Sequence, residues 1–297
     1  MSLRAKAPVN KGNRLKMFNY GPAGCGKTTA AIQFPHAYII DTEGGTDHYA
    51  DTINKAGSVV LQTSSIHEVI AEVHALLTEE HDYQTLIIDP FTHLYNDAQD
   101  YWTRIFEKYA ANDKAKETQD FGAGYWGKVK RDVKRLERMM MALDMNLIVT
   151  AHQKNEYGEN MKKLGVTFDS MRGDDYVFDL IFRVERFGDK LMAYKVKERA
   201  DILVGQKFPD SFEWSYDNFA NFYGRENLER KAVPVVMATD KQVARVKQLV
   251  AALRIEETET AKWFSKAKVE DWDEMTSETI GKTITFLENK LEEVKNA

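Results

Sequence analysis

The chain has a single cysteine, Cys25, among 297 residues, so no internal disulfide can form and nothing asks for an oxidising compartment. Only six prolines and 17 glycines occur, no Pro/Gly-rich linker stands out, and no repeat of solenoid period is present. No apolar run approaches the roughly 18 residues of a membrane span. The opening MSLRAKAPVNKGNRLK lacks the apolar core of a signal peptide, so the expectation is a protein of the cytoplasm with no membrane partner. An excess of one charge is missing too. Against 46 Asp+Glu stand 41 Lys+Arg, and a formal net charge of -5 gives no global pull toward nucleic acid or anionic lipid. What is present is ordinary for a folded chain: 43% hydrophobic and 29% charged residues exclude wholesale disorder, and the length can bury a sizeable core.

From about residue 14 to 200, short apolar runs alternate with longer helical patterns. The runs are Leu15–Tyr20, Ala37–Asp41, Val59–Gln62, Thr85–Asp89, Asn146–Thr150, Leu180–Glu185 and Leu191–Val196. Helix-compatible stretches separate the first five, which reads as parallel strands with crossover helices. The last two flank Phe187-Gly188-Asp189-Lys190, a hairpin signal, so the sheet is expected to end antiparallel. Beyond Pro234 the pattern changes. Thr239-x-x-Gln242 is a capping box, and Val243, Val246, Val250 and Leu253 follow at helical spacing. Ala261, Phe264 and Ala267 mark a middle helix. Ile280, Ile284, Leu287, Leu291 and Val294 mark a last one behind Thr276. The expected organisation is an α/β core over residues 12–230 and a small all-α module over 238–297, with Trp263 and Trp272 in the module's core.

Gly21-Pro22-Ala23-Gly24-Cys25-Gly26-Lys27-Thr28-Thr29 fits G-x-x-x-x-G-K-[ST], the P-loop, and lies between an apolar run and a helical pattern as that motif requires. Glycines let successive backbone N–H groups converge on phosphate oxygens, and Lys27 adds a point charge. The Thr28 hydroxyl is the expected ligand of Mg²⁺ beside ATP. A second, carboxylate ligand is expected at the end of a buried strand, and Thr85-Leu86-Ile87-Ile88-Asp89 supplies it in Asp89. Pro90 follows, where many P-loop ATPases keep a catalytic glutamate, so the base must come from elsewhere. Glu43, after Tyr38–Asp41 and before Gly44-Gly45, is the best candidate to orient or deprotonate the attacking water. Asp41, inside the strand, is a weaker rival.

These residues together resemble the RecA-like branch of P-loop ATPases. That branch carries a P-loop, a glutamate after the second strand, an aspartate ending the third core strand and a polar sensor ending the fourth. IIDTEGG is similar to its glutamate segment and LIVTAHQK to its sensor strand. The resemblance implies His152 as the sensor of the γ-phosphate, with Gln153 next to it as the other possibility. Tyr194–Arg199 resembles the short basic motif that such ATPases present to a neighbouring subunit. Strand alternation would put Lys195, Lys197 and Arg199 on one face, and the resemblance implies Lys197 and Arg199 as groups acting across an interface. Over roughly residues 12–225, the stretch Asp120–Lys154 in particular, the chain is most similar to the Sak-type single-strand annealing recombination NTPases of phages. That likeness implies a RecA-like fold, a mostly parallel sheet flanked by helices. It further implies hydrolysis of ATP with Mg²⁺, action on single-stranded DNA in annealing or strand exchange, and a homo-oligomeric ring or filament in a bacterial or phage-infected cell.

Two polar stretches fall where that branch carries DNA-binding loops. Tyr109–Gly124 holds Lys114, Lys116 and Phe121; Lys154–Arg172 holds Tyr157, Lys162, Lys163, Phe168 and Arg172. Each mixes basic residues with an aromatic, as single strands require. The helix Trp126–Met141 is basic on one side, which reads as a solvated face. The alternatives are a replicative helicase or loader-like ATP switch, with the C-terminal module recruiting a replication or recombination protein, and a P-loop kinase of small molecules. The kinase would want an arginine-rich lid, and none stands near the expected place.

Overall fold

The computed structural model describes residues 14–112, 123–157, 162–171, 173–199, 207–267 and 269–296. Among them nine strands form one sheet: β1 (Lys16–Gly21), β2 (Ala37–Asp41), β3 (Val59–Gln62), β4 (Thr85–Asp89), β5 (Asn146–Tyr157), β6 (Lys163–Phe168), β7 (Leu180–Phe187), β8 (Lys190–Glu198) and β9 (Ser211–Glu213). The helices are α1 (Lys27–Ala31), α2 (Ala50–Lys55), α3 (Ile66–Thr78), α4 (Phe91–Asn112), α5 (Ala123–Ala142), α6 (Tyr216–Tyr223), α7 (Arg225–Leu228), α8 (Asp240–Ala252), α9 (Glu257–Ala267) and α10 (Ser277–Asn296).

The strand order is β3-β2-β4-β5-β1-β7-β8-β9, with β6 paired to the outer part of β5. Every pair among β1–β5 and the β1–β7 pair are parallel, whereas β7–β8 and β8–β9 are antiparallel. This is the expected α/β architecture, including its antiparallel end. Strands β1 and β4 are buried at every residue, which is why both read as unbroken runs. Parallel pairing needs a crossover after each strand, so the carboxyl ends line up on one edge. Register places Asp41 beside Asp89 and Gly21 beside His152 on that edge.

The described residues fall into two compact units. One comprises those of Met1–Ile66, Asp82–Gln119 and Met145–Ala232; the other those of His67–His81, Asp120–Asp144 and Val233–Ala297. The core of the first unit is rich in aromatic residues. Phe34 meets Tyr216 and Phe219 at ring separations of 5.1 and 5.4 Å, and Phe182 meets Phe208 and Phe212 at 5.4 and 5.6 Å. Each of the buried phenylalanine rings contributes roughly 1.5–3 kcal/mol. The Trp214 indole N–H donates to the Ala30 carbonyl at 3.2 Å, fixing α1 to this cluster.

In the second unit the Thr239 hydroxyl accepts from Gln242 N at 3.3 Å while the Gln242 side chain accepts from Thr239 N at 3.0 Å, the capping box read from the sequence. A cap of this kind contributes about 1 kcal/mol. Trp272 is buried and packs edge-on to Phe264 at 4.7 Å, beside Trp263 at 6.2 Å. The basic side of α5 is not simply solvated. Arg138 pairs with Glu270 at 3.0 Å and Glu274 at 3.1 Å, and Arg135 with Asp273 at 3.3 Å. Among the described residues no helix is long and apolar enough to cross a membrane.

Two expected loops are partly regular structure. Within Lys154–Arg172, β5 runs past the sheet to Tyr157 and pairs antiparallel with β6, while Arg172 lies outside the described residues. Of Tyr109–Gly124, α4 takes the part up to Asn112 and α5 begins at Ala123, while Lys114, Lys116 and Phe121 lie outside the described residues.

Candidate nucleotide site

Strand β1 ends at Gly21, the loop Pro22–Gly26 turns, and α1 starts at Lys27. Gly26 has φ +96°, and a Cβ there would lie 2.6 Å from Leu191 Cδ1. The left-handed backbone favours glycine there, and any Cβ would also have to displace the Leu191 side chain. The Lys27 ammonium donates to the carbonyls of Gly21 at 3.1 Å and Pro22 at 3.0 Å, folded back over its own loop. The Cys25 thiol is buried, and burial pushes its pKa up against the opposing Lys27 charge, so it packs as a neutral group.

The Thr28 hydroxyl donates to Asp89 Oδ2 at 2.5 Å, and the Thr150 hydroxyl donates to Asp89 Oδ1. Burial holds the Asp89 carboxyl above its ordinary range, with these two hydroxyls and Lys27 working against that rise. Thr28 and Asp89 thus offer a hydroxyl and a carboxylate oxygen at one point next to the phosphate loop. That donor set suits Mg²⁺, a hard oxygen-seeking cation. Thr150 was not anticipated as part of this set. The only sequence signal for it is a polar residue inside the apolar run of β5.

Asp41 turns out to shape the backbone. Its carboxylate accepts from Glu43 N at 3.0 Å, Gly44 N at 2.8 Å, Thr46 N at 2.9 Å and the Thr46 hydroxyl at 2.6 Å. Burial raises its pKa, but these donors outweigh burial and bring it below the usual carboxylate range. The net lowering makes its contribution to stability fully present above the unfolded value of about 4 and lost as pH falls through the folded value. Asp41→Ala is therefore expected to destabilise the protein by about 2–4 kcal/mol at pH 7. In thermal melts across pH, the gap to wild type should close in acid.

Glu43 follows directly. The Thr42 hydroxyl donates to the Pro90 carbonyl at 2.8 Å, tying this turn to the end of β4. Glu43 Oε1 lies 2.7 Å from His152 Nε2 and 2.8 Å from His93 Nε2. Burial raises the Glu43 pKa, but the hydrogen bond from His93, then His152, more than reverses this and holds it below the ordinary value. His93 stands in the first turn of α4 and is fixed through its neighbour. The Thr92 hydroxyl accepts from His152 N at 3.1 Å and donates to the Asp169 carbonyl at 2.8 Å. No motif pointed to His93; its position four residues after Asp89, at the start of the next helix, is the one available signal. His152, not Gln153, faces Glu43, and the Gln153 Oε1 is buried without a partner.

The end of β7 supplies a wall that sequence reasoning missed. A cleft of about 540 Å³ beside the P-loop is lined by Pro22, Gly24, Cys25, Glu185, Arg186 and Phe187, and Phe187 is 55% exposed. Lys197 and Arg199 are held elsewhere. The Lys197 ammonium donates to the Phe178 carbonyl at 2.8 Å; Arg199 pairs with Asp179 at 2.8 Å and donates to the Tyr176 carbonyl at 3.0 Å. The expected common face is broken. A bulge pairs Phe182 with Lys195 and Ile181 with Lys197, so these two lysines follow adjacent residues onto opposite faces. Phe168, expected beside DNA, packs instead against Phe18 at 4.8 Å and Tyr20 at 5.9 Å.

No curated protein matches the chain. Among solved structures, it is similar to one described as the crystal structure of the RadB recombinase, with 15% identity, a TM-score of 0.39, and coverage of 62% of this chain and 82% of that one. The AAA domain family AAA_24 matches residues 13–201, well over half of the chain and the whole stretch from the P-loop to Arg199. With Lys27, Thr28 and Asp89 converging at the strand ends inside that span, the chain belongs to the AAA_24 family of AAA domains and is an ATPase of the P-loop type.

Proposed function

We propose that this ATPase is a recombination protein of the Sak type, hydrolysing ATP while acting on single-stranded DNA as a homo-oligomer. The observation that carries the hydrolytic part is the convergence of Thr28 and Asp89 with the Glu43–His152 pair on one sheet edge. The backbone of Gly24–Thr28 and the Lys27 ammonium hold the β- and γ-phosphates, and the Phe187 ring and Arg186 guanidinium flank the base. Thr28 and Asp89 would hold Mg²⁺, which when bound neutralises charge on the β- and γ-phosphates. Water attacks the γ-phosphorus in line, the bond to the β–γ bridging oxygen breaks, and Glu43 orients that water and receives its proton. The lowered basicity of Glu43 favours orientation and late proton acceptance over early abstraction. His152 reads the γ-phosphate through its hold on the same carboxylate. Lys197 and Arg199 act on a neighbouring subunit's phosphates, Lys197 exchanging its present carbonyl partner and Arg199 its Tyr176 carbonyl and Asp179 carboxylate for that charge.

The DNA part of the reading is supported by the Sak-type sequence likeness and by the β5–β6 hairpin. Lys154 and Lys162 are exposed there, Lys154 paired with Asp169 at 3.0 Å, and Leu164 is 64% exposed. The acidic total does not oppose it, because weak contacts repeated along an oligomer gain from multivalency. The test is ATP turnover measured with and without a single-stranded oligonucleotide across protein and salt concentrations. Turnover should rise with DNA, rise more than linearly with protein, and lose the DNA effect as salt increases. Turnover indifferent to DNA at low salt would favour a loader-like switch and overturn the recombination reading.

A further inference from the structure

Glu43, His93 and His152 come from three different elements: the turn after β2, the first turn of α4 and strand β5. Among the described residues they are the one group of three side chains whose metal-ligating atoms all lie within 4.8 Å of one another. Both imidazole Nε2 atoms approach the same Glu43 oxygen, at 2.7 and 2.8 Å, and the two rings stand nearly perpendicular at 5.4 Å. We propose that these three side chains form a binding site for a divalent transition metal, Zn²⁺ or Co²⁺, separate from the Thr28–Asp89 position.

Two imidazoles and one carboxylate match the ligand preference of borderline ions such as Zn²⁺ and Co²⁺, and not that of Mg²⁺, which takes oxygen and keeps its waters. Ligands held about 2.0–2.2 Å from a tetrahedral metal lie about 3.3 Å from one another. The two Glu43–imidazole spacings need to open by only about half an ångström, and all three side chains are between 36% and 45% exposed. An ionised carboxylate can only accept, so an Nε2 that hydrogen-bonds to Glu43 carries the proton. On binding, that proton leaves to solvent or to Nδ1, and the lone pair it uncovers faces the metal. Three protein ligands leave further coordination positions to water. The Thr92 hydroxyl, bonded to His152 N and the Asp169 carbonyl, ties the start of α4 to β5 and so holds the backbones of His93 and His152 together.

Occupancy takes Glu43 and His152 away from the γ-phosphate, so the bound metal should inhibit ATP turnover; this consequence, unlike the binding itself, rests on the proposed role of Glu43. The experiment titrates Co²⁺ into tag-free, full-length protein, followed by visible absorption and by Zn²⁺ displacement. Wild type, His93→Ala, His152→Ala, Glu43→Gln and Cys25→Ser are compared, with a thermal melt of each variant to establish folding. Wild type and Cys25→Ser should bind one equivalent with the same affinity. Each histidine variant should bind at least tenfold more weakly, and Glu43→Gln should be weakened while retaining side-chain shape. No Co²⁺ binding by wild type, or unchanged binding in both folded histidine variants, overturns the site. Tight binding that is lost in these variants but leaves ATP turnover unchanged supports the site and overturns the role given to Glu43.

Discussion

Lys27→Ala is expected to lower ATP turnover by at least about 10³-fold and to weaken nucleotide binding together with it. In phosphoryl transfer little covalent chemistry is left to the protein, so positioning and charge stabilisation carry nearly the whole acceleration. Lys27 is the positive side chain built into the phosphate loop, and the Gly21 and Pro22 carbonyls hold its ammonium there at 3.1 and 3.0 Å. Alanine removes the charge without touching Gly26, whose left-handed backbone shapes the loop, or the Trp214 contact that anchors α1. The variant should therefore keep the melting temperature of wild type. Steady-state phosphate release alongside equilibrium binding of a fluorescent ATP analogue checks both halves. Turnover within tenfold of wild type would remove Lys27 from the site.

Glu43→Gln separates binding from chemistry. Glutamine keeps the shape of glutamate and still accepts a hydrogen bond from His93 or His152, so the 2.7–2.8 Å contacts lose their charge more than their geometry. Nothing in this change touches the P-loop, and ATP affinity should stay within a few-fold of wild type. Turnover should drop by about 10²–10⁴-fold, the range that a positioned base contributes. A variant that turns over like wild type would return the task to another group. Asp41 is poorly placed to take it, because its two oxygens already accept four hydrogen bonds from Glu43, Gly44 and Thr46.

The parallel sheet was legible because its inner strands are buried on both faces and so form unbroken apolar runs, as in Leu86-Ile87-Ile88 or Leu147-Ile148-Val149. The P-loop and Asp89 were legible because local sequence encodes them: glycines for the turn, a carboxylate at a strand end. Strand β6 was hidden by its setting. Leu164, Val166 and Phe168 do alternate, but Gly165 weakens a run this short, and the strand exists through pairing with the overhang of β5 beyond the main sheet. Strand β9, Ser211–Glu213, is too short to show any period. The bulge at Val196 separates the faces of Lys195 and Lys197 and leaves no mark on the pattern Tyr194–Arg199. His93 was missed because its role depends on a tertiary meeting of three elements, which spacing along the chain does not encode.

The most direct test of a single hydrolytic centre built on Lys27, Asp89 and Glu43 is single-turnover conversion of bound ATP to ADP and phosphate. It should be followed in wild type, Lys27→Ala and Glu43→Gln, with Mg²⁺ and single-stranded DNA present. Wild type should hydrolyse the bound nucleotide, Glu43→Gln should bind it and leave it intact, and Lys27→Ala should neither hold nor cleave it. Cleavage at the wild-type rate in Glu43→Gln, or the absence of cleavage by wild type at any protein concentration, would contradict that centre.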